Sequence, residues 1–448
     1  MGDNNINFIN IPGLTRRNFL WLLSVSAAGF FTGCSTDPVT GKSQLMLVSE
    51  DTEVRIDRNN SPRQLSSDYG IIQDRDLNGY INQTGEKIAA LTHRPNMPYS
   101  FQAVNATYVN AYAFPGGTIA VTRGILLNLD NEAELAALLG HELGHVNARH
   151  TAEQMSKGVL TSVVVGGITA YAGSKGQIYG KVAEGIGMVG SGMLIASYSR
   201  DNEREADALG MEYMVKAGYS PDGFIDLMDM LRKMSKSKPG AIELMFSTHP
   251  MSDERYSNAT ENVRNLYGAY KKQPVYRERY MDNTAKLRSM KPAIEELQNG
   301  DAEMKKSNYT ASENHFKKAL SLASNDYAGL IMMSKCLLVQ GKYSEAIKYA
   351  EAAKDAYPGE AQAHQISGFA GMKKKNFESA YDDFDKYEKA LPGDSNAIFY
   401  KGFCREGMQQ IKESAFEYNR YLQVEKGGDQ AAYAYKRLVE WGYIKPAK

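Results

Sequence analysis

Cysteine is scarce: Cys34, Cys336 and Cys404 are the only three in 448 residues. Three thiols so far apart exclude a disulfide framework and any cysteine-based zinc site. Cys336 and Cys404 fall in expected helices of the C-terminal half and read as buried, small apolar residues. A surplus of charge is also missing. Lys and Arg number 52, as do Asp and Glu, so the formal net charge is zero. Neither a basic nucleic-acid surface nor an acidic disordered tail is indicated. Near the N-terminus the apolar run from Phe19 to Phe31 has 13 residues, too few for a comfortable membrane span. What remains is ordinary for a folded soluble protein, with 43% hydrophobic and 23% charged residues. The length suggests about two or three domains, whose cores need no disulfide staples.

The first segment reads as an address. Arg16 and Arg17 precede the apolar run, which ends in Phe31-Thr32-Gly33-Cys34. A positive start, a short apolar stretch and small residues before a cut describe a secretory signal. A cysteine at that junction resembles a lipobox, which would make Cys34 a lipidated first residue. Thr15-Arg16-Arg17-Asn18-Phe19-Leu20 also resembles a twin-arginine export signal. Residues 1–34 are thus expected to be a lipoprotein signal, and the polar stretch 35–44, with Pro38 and Gly41, a tether. Ser35 rather than Asp after the cysteine favours, by analogy, the outer membrane over the inner.

A first domain is expected over 45–270. Leu77 to Leu91 has helical spacing, while Phe101–Val109 and Thr118–Thr122 are rich in β-formers. Pro115-Gly116-Gly117 lies between the two and reads as the turn of a hairpin. Asn131 with Glu134 makes a capping box for the helix that follows. Residues 158–195 are apolar and glycine-rich. They read either as two mobile helices over a cleft, membrane or partner, or as a tightly packed core hairpin. A helix over 203–217 is stopped by Gly218, and Ser220-Pro221 starts the next. Residues 271–292 read as a linker helix.

From 293 to 443 the chain repeats itself. Gly300, Ser334, Gly368 and Gly402 are spaced by 34, as are Tyr309, Tyr343, Phe377 and Ile411, and Ser312, Ala346, Ala380 and Ser414. This period, with small residues and an aromatic at fixed offsets, resembles the tetratricopeptide repeat. Such arrays form concave peptide-binding surfaces or act as packed scaffolds.

The chemistry concentrates at His141-Glu142-Leu143-Gly144-His145. Two histidines four residues apart project from one helix face and can share one Zn²⁺. Glu142 then stands where it can reach a metal-bound water, whose pKa falls to about 7 in favourable sites. His150, nine residues after His141, falls on the opposite face of a continued helix and reads as a contact, not a ligand. A third ligand is needed. Asp201 to Asp207 offers two acidic pairs, Glu203 with Asp207 and Asp201 with Glu205, and spacing does not choose between them.

The His-Glu-Leu-Gly-His run followed by Glu203-Arg204-Glu205-Ala206-Asp207 resembles metallopeptidase family M48. The resemblance implies Glu203 as third ligand and Asp207 as the carboxylate holding a ligand histidine. Asn110-Ala111 with Pro115-Gly116-Gly117 resembles the family's substrate-edge strand, and Thr248-His249-Pro250 with Arg255 its His-Pro-x4-Arg element. His249 would either stabilise an oxyanion or bind zinc as a fourth ligand in a resting state. Arg255 would position His249 or meet the substrate. Asp37 to Lys42 and Leu45 to Glu50 resemble the start of lipoprotein and periplasmic members.

The expected fold is mainly α: a gluzincin-type zinc peptidase domain with a small β-hairpin or sheet, then an α-solenoid of tetratricopeptide repeats. The implied function is a bacterial-envelope endopeptidase, with one Zn²⁺ per chain, that cuts misfolded or stalled outer-membrane proteins. The repeats would hold substrate or the barrel-assembly machinery, a lipid would anchor the chain to a membrane, and nucleic acid plays no part. The alternative is a chaperone or assembly scaffold with mostly latent proteolysis. A CAAX-type membrane protease is disfavoured, because no long spanning helices follow the signal.

Overall fold

The computed structural model describes residues 34–41, 43–156, 198–237 and 239–445. The expected signal before Cys34 and the glycine-rich stretch 158–195 lie outside the described residues. The stretch read as a tether is folded: β1 (Cys34–Thr36) pairs antiparallel with β2 (Ser43–Leu45). Asp37 closes the turn by accepting from the Val39 and Thr40 amides.

Helix α1 (Glu50–Ser67) is capped by Ser49, and α2 (Arg75–Ala89) by Asp74. Leu77, Tyr80, Ile81 and Ile88 of α2 recur at helical spacing and enter the core. The sheet contains β3 (Ser100–Val104), β4 (Ala111–Ala113) and β5 (Thr118–Thr122) in the order β3-β5-β4. This corrects the expected pairing. The stretch 101–109 is not the hairpin partner; β3 runs parallel to β5, and β4 forms the antiparallel hairpin with it. The reason is Asn105, whose side-chain amide donates to the carbonyls of Tyr69, Gly70 and Ile71 and ends the strand. After a short helix, α3 (Arg123–Leu126), the β4 side of the sheet lies along α4 (Glu132–Asn147).

Every residue of α4 is buried. Asn131 caps it, accepting from the Glu134 amide at 3.0 Å, while Glu134 reaches back to the Asp130 amide at 2.8 Å. Helix α5 (Arg200–Lys216) presses against it through glycines. A Cβ at Gly140 would stand 2.7 Å from the Gly210 carbonyl, and one at Gly144 2.8 Å from the Ala206 carbonyl. The backbones touch only because these positions carry no side chain. Helices α6 (Asp222–Ser237), α7 (Pro239–Thr248) and α8 (Asp253–Asn265) complete this half.

Helix α9 (Arg277–Ser289) leads to paired helices: α10 (Lys291–Lys305) with α11 (Tyr309–Leu322), α12 (Tyr327–Val339) with α13 (Tyr343–Ala356), α14 (Ala361–Lys373) with α15 (Phe377–Ala390), and α16 (Ser395–Gly407) with α17 (Ile411–Val424). Helix α18 (Asp429–Glu440) follows. The repeating small residues admit the partner helix. A Cβ at Gly300 would overlap Phe316, and one at Gly368 would stand 2.9 Å from Phe384. Ser312 and Ser414 donate to the carbonyls of Gly300 and Gly402, each at 2.8 Å.

The first helices of the middle repeats are buried along nearly their whole length, and their inner side meets the end of α1, Tyr69 and Arg123 of α3. Arg123 donates to both oxygens of Asp326 at 2.6 and 2.9 Å. Gln298 donates to the Thr107 carbonyl, Ser66 to Glu360, and Arg63 to the Pro392 carbonyl. The Lys335 ammonium lies 4.9 Å from the centre of the Tyr69 ring. No described helix is long and apolar enough to cross a membrane.

Candidate metal centre

Helix α4 projects His141 and His145 from one face. The close approach of α5 brings Glu203 to them, and the chain leaving α7 adds His249. Four ligand atoms converge. His141 Nε2 lies 3.1 Å from His145 Nε2 and 3.3 Å from His249 Nδ1. Glu203 Oε1 lies 3.3 Å from His145 Nε2 and 3.1 Å from His249 Nδ1. Ligands about 2.0–2.1 Å from a tetrahedral zinc stand about 3.3 Å apart, so the spacing fits. The donor set fits as well: three imidazole nitrogens and a carboxylate crowd lone pairs together, and a cation resolves that crowding. This is the Glu203–Asp207 pair, not the other one. Asp201 is exposed and pairs with Arg204.

The outer atoms are held in turn. His141 Nδ1 lies 2.9 Å from Asp207 Oδ1, which leaves Nε2 to face the cluster. Arg255 grips Asp207 through two hydrogen bonds of 2.7 Å and pairs with Glu203 Oε2 at 2.5 Å. Arg255 also donates to the Pro250 carbonyl at 3.0 Å. Arg255 is buried, its guanidinium holds two carboxylates, and it reaches His249 indirectly, through Glu203 and the Pro250 carbonyl.

Electrostatics divide the site. Burial pushes Glu142 above its ordinary value, although His249 and His141 pull the other way. Both Glu142 oxygens are buried without a hydrogen-bond partner, and His249 Nε2 lies 3.9 Å from Oε1. Burial opposes ionisation of Glu203 too, but His249 and the hydrogen bond with His145 hold its carboxyl far below the usual range. Burial drives His145 well below the ordinary histidine value, which keeps it a neutral imidazole. Its ring is fixed by Tyr198, stacked at 3.8 Å between centroids and 17° between planes.

His150 is the largest departure from expectation. Helix α4 stops at Asn147, and Arg149 takes a φ of 58°, which turns the chain back. Glu53 and the Val48 carbonyl secure that turn through the Arg149 side chain. His150 is therefore buried beside His145, with their Nδ1 atoms 2.9 Å apart, not on an opposite face. Its Nε2 lies 3.2 Å from Glu205 Oε2. His150 and Tyr198 were not picked out as site residues, and Glu205 was considered only with Asp201 as an alternative acidic pair. The turn at Arg149 carries no glycine or proline to announce it.

Asn110 and Ala111 lead into β4, the outer strand of the sheet, next to α4. The Asn110 amide donates to Thr122 Oγ1 at 3.1 Å, and its side-chain Oδ1 is buried without a partner. Cys34 lies in β1, away from this centre in the chain. Cys336 and Cys404 are free and buried, as expected, and burial raises the Cys404 thiol to about 12.

Residues 75–263 match Peptidase family M48, and residues 303–367 match the tetratricopeptide repeat. The chain is 33% identical over 227 residues to the putative beta-barrel assembly-enhancing protease of Vibrio cholerae, a match covering 49% of this chain and 44% of that protein. The beta-barrel assembly-enhancing protease of Yersinia pestis is 32% identical over 216 residues, covering 46% and 42%. The mitochondrial metalloendopeptidase OMA1 of Schizosaccharomyces pombe is 27% identical over 260 residues, covering 56% and 74%. The chain spans less than half the length of the first two relatives.

Proposed function

We propose that this chain, a peptidase family M48 domain followed by tetratricopeptide repeats, is a zinc-dependent endopeptidase of a bacterial cell envelope. The observation that carries this reading is the meeting of four metal donors at tetrahedral spacing beside a buried carboxylate with no partner. His141, His145 and Glu203 hold the ion; His249 is the fourth donor of a resting site and yields its corner to water or substrate for reaction. Zinc bound there would polarise a carbonyl and acidify a water. Glu142 takes a proton from water and passes it to the leaving amine. Asp207 fixes His141, and Arg255 fixes Asp207. An extended polypeptide adds to the open side of β4 near Asn110 and Ala111 by main-chain pairing.

In this reading residues 45–270 are the peptidase unit, 271–292 a linker helix and 293–443 the repeats. Cys34 would carry a lipid that anchors the chain to a membrane, the outer one by preference. The substrates are unfolded envelope proteins, outer-membrane β-barrels above all. The names of the two bacterial relatives support that class, and the repeats support a protein partner such as the barrel-assembly machinery. A second reading, an assembly scaffold with mostly latent proteolysis, is favoured by His249, whose Nδ1 occupies the fourth corner.

The test is zinc content and casein cleavage by the form lacking residues 1–34, beside Glu142→Gln and His249→Ala. About one zinc per chain and cleavage by the unmutated form alone would support the peptidase. Cleavage that appears only in His249→Ala would support the latent scaffold. Failure to bind zinc after refolding with the metal would overturn both.

A further inference from the structure

The helix α5 places three carboxylates within one turn and a half: Glu203, Glu205 and Asp207. Two of them are already used. Glu203 faces the cluster, and Asp207 holds the outer nitrogen of His141 directly. His145 has no such carboxylate on its outer nitrogen. In its place stands His150, and behind His150 stands Glu205.

We infer that His150 and Glu205 form a relay of hydrogen bonds that orients His145 toward the metal. The inference rests on the metal-centre reading above and extends it to two residues outside the ligand set.

The proton positions follow from geometry. His145 meets the cluster through Nε2, 3.1 Å from His141 Nε2 and 3.3 Å from Glu203 Oε1. A ligand nitrogen must offer a lone pair, so the ring proton of His145 belongs on Nδ1. That atom faces His150 Nδ1 at 2.9 Å, and two nitrogens at this distance share one proton. His145 donates it, so His150 accepts at Nδ1 and carries its own proton on Nε2. There it meets Glu205 Oε2 at 3.2 Å, an atom that only accepts. Every donor in the chain faces an acceptor. The opposite wiring, with His150 donating from Nδ1, would put the His145 proton on Nε2, aimed at the cluster. The Glu205 carboxylate would then face a lone pair. Glu205 therefore selects the wiring that leaves His145 free to bind.

The fold fixes the two imidazoles of the relay, while Glu205 closes it from a half-buried position. The left-handed turn at Arg149 delivers His150, Tyr198 stacks on the His145 ring, and Thr151 lies 3.1 Å from the Tyr198 hydroxyl. Stacking sets the plane of the ring but does not choose between the two orientations related by a flip about the Cβ–Cγ bond, which exchanges Nδ1 with Cδ2. The hydrogen bond to His150 makes that choice. His150 and Glu205 touch neither the ion nor the reacting atoms, so they are positioning residues.

The experiment uses the chain from residue 35 onward and zinc itself, competed against a chromogenic chelator. Partners that orient a metal-bound histidine typically change metal affinity by about 10–100-fold. His150→Leu is expected to weaken zinc binding on that scale, while His150→Gln, which keeps an acceptor, recovers most of the loss. Glu205→Gln, which also keeps an acceptor, stays near the unmutated protein, and Glu205→Leu weakens binding by about 10-fold. Equal affinity in His150→Leu and the unmutated chain would overturn the relay, as would His150→Gln no better than His150→Leu. Should His150→Leu fail to fold, nitrogen NMR of the zinc-loaded unmutated chain decides. The chain has seven histidines, few enough to resolve. Protons on Nδ1 of His145 and Nε2 of His150 are expected, and a proton on Nδ1 of His150 would refute the relay. Absence of zinc from the unmutated chain would defeat the metal-centre reading itself, a result distinct from any of these.

Discussion

Two buried polar clusters in this molecule differ in one respect. At the seam between sheet and repeats the carboxylates are satisfied. Asp68 accepts from the hydroxyls of Tyr108 at 2.6 Å and Tyr112 at 2.5 Å. Glu360 accepts from Ser66, Tyr327 and the Gln362 amide, and Asp326 from Arg123 and the Gly329 amide. At the metal centre the acceptors face one another, and Glu142 has no hydrogen bond. A closed network of buried groups builds structure. An unfinished one of this composition is what a metal ion would complete. Burial lifts Asp68 above its ordinary value in spite of its hydroxyl partners, whereas the histidines around Glu203 overcome burial and hold it ionised.

The comparison can be broken from either end. The largest expected effect is at Glu142. Glu142→Gln should lower kcat on an extended peptide by about 10²–10⁴-fold, with zinc content unchanged; both are measured on one preparation. Metal removal comes next. Zinc at about a thousand times its dissociation constant should stabilise the folded chain by about 4 kcal/mol, read as a rise in Tm that Glu203→Ala reduces. Seam variants should show no such dependence on zinc.

The seam carries the opposite expectation. Arg123→Ala strands Asp326 in a buried site and should cost about 3–5 kcal/mol in urea unfolding. Replacing both partners by Met and Leu should cost less, about 0.5–2 kcal/mol for the lost Asp326 cap on the Gly329 amide, because a closed ion pair can itself be exchanged for packed apolar groups. No apolar replacement should rescue the metal centre. The smallest effect is Tyr112→Phe, which removes one hydrogen bond to a buried carboxylate. A loss of about 1.5–3 kcal/mol is expected, measured by the same unfolding.

The two clusters were unequally legible in the sequence. His141 and His145 stood out because a helix repeats its faces every three to four residues. Glu203 could be narrowed only to one of two acidic pairs, since the choice depends on how α5 meets α4. The small residues that permit that approach, Gly140, Gly144 and Gly210, lie in separate stretches of the chain. His150 was misplaced because the helix ends at Asn147 and a non-glycine residue, Arg149, makes the left-handed turn. The repeats were readable from their period, yet their internal turns were not. Ser307, Gly341, Lys375 and Gln409 all take positive φ at the same register, and only one of them is glycine. The seam could not be read at all: Arg123 and Asp326 are 203 residues apart, and neither carries a local signal.

The most direct measurement is the zinc-edge X-ray absorption spectrum of the zinc-loaded chain. A first shell of about four nitrogen and oxygen atoms near 2.0–2.1 Å is expected, with imidazole scattering that drops in His249→Ala. A shell of about six oxygens, or a spectrum unchanged by both His249→Ala and Glu203→Ala, would contradict the assignment of these donors to a metal.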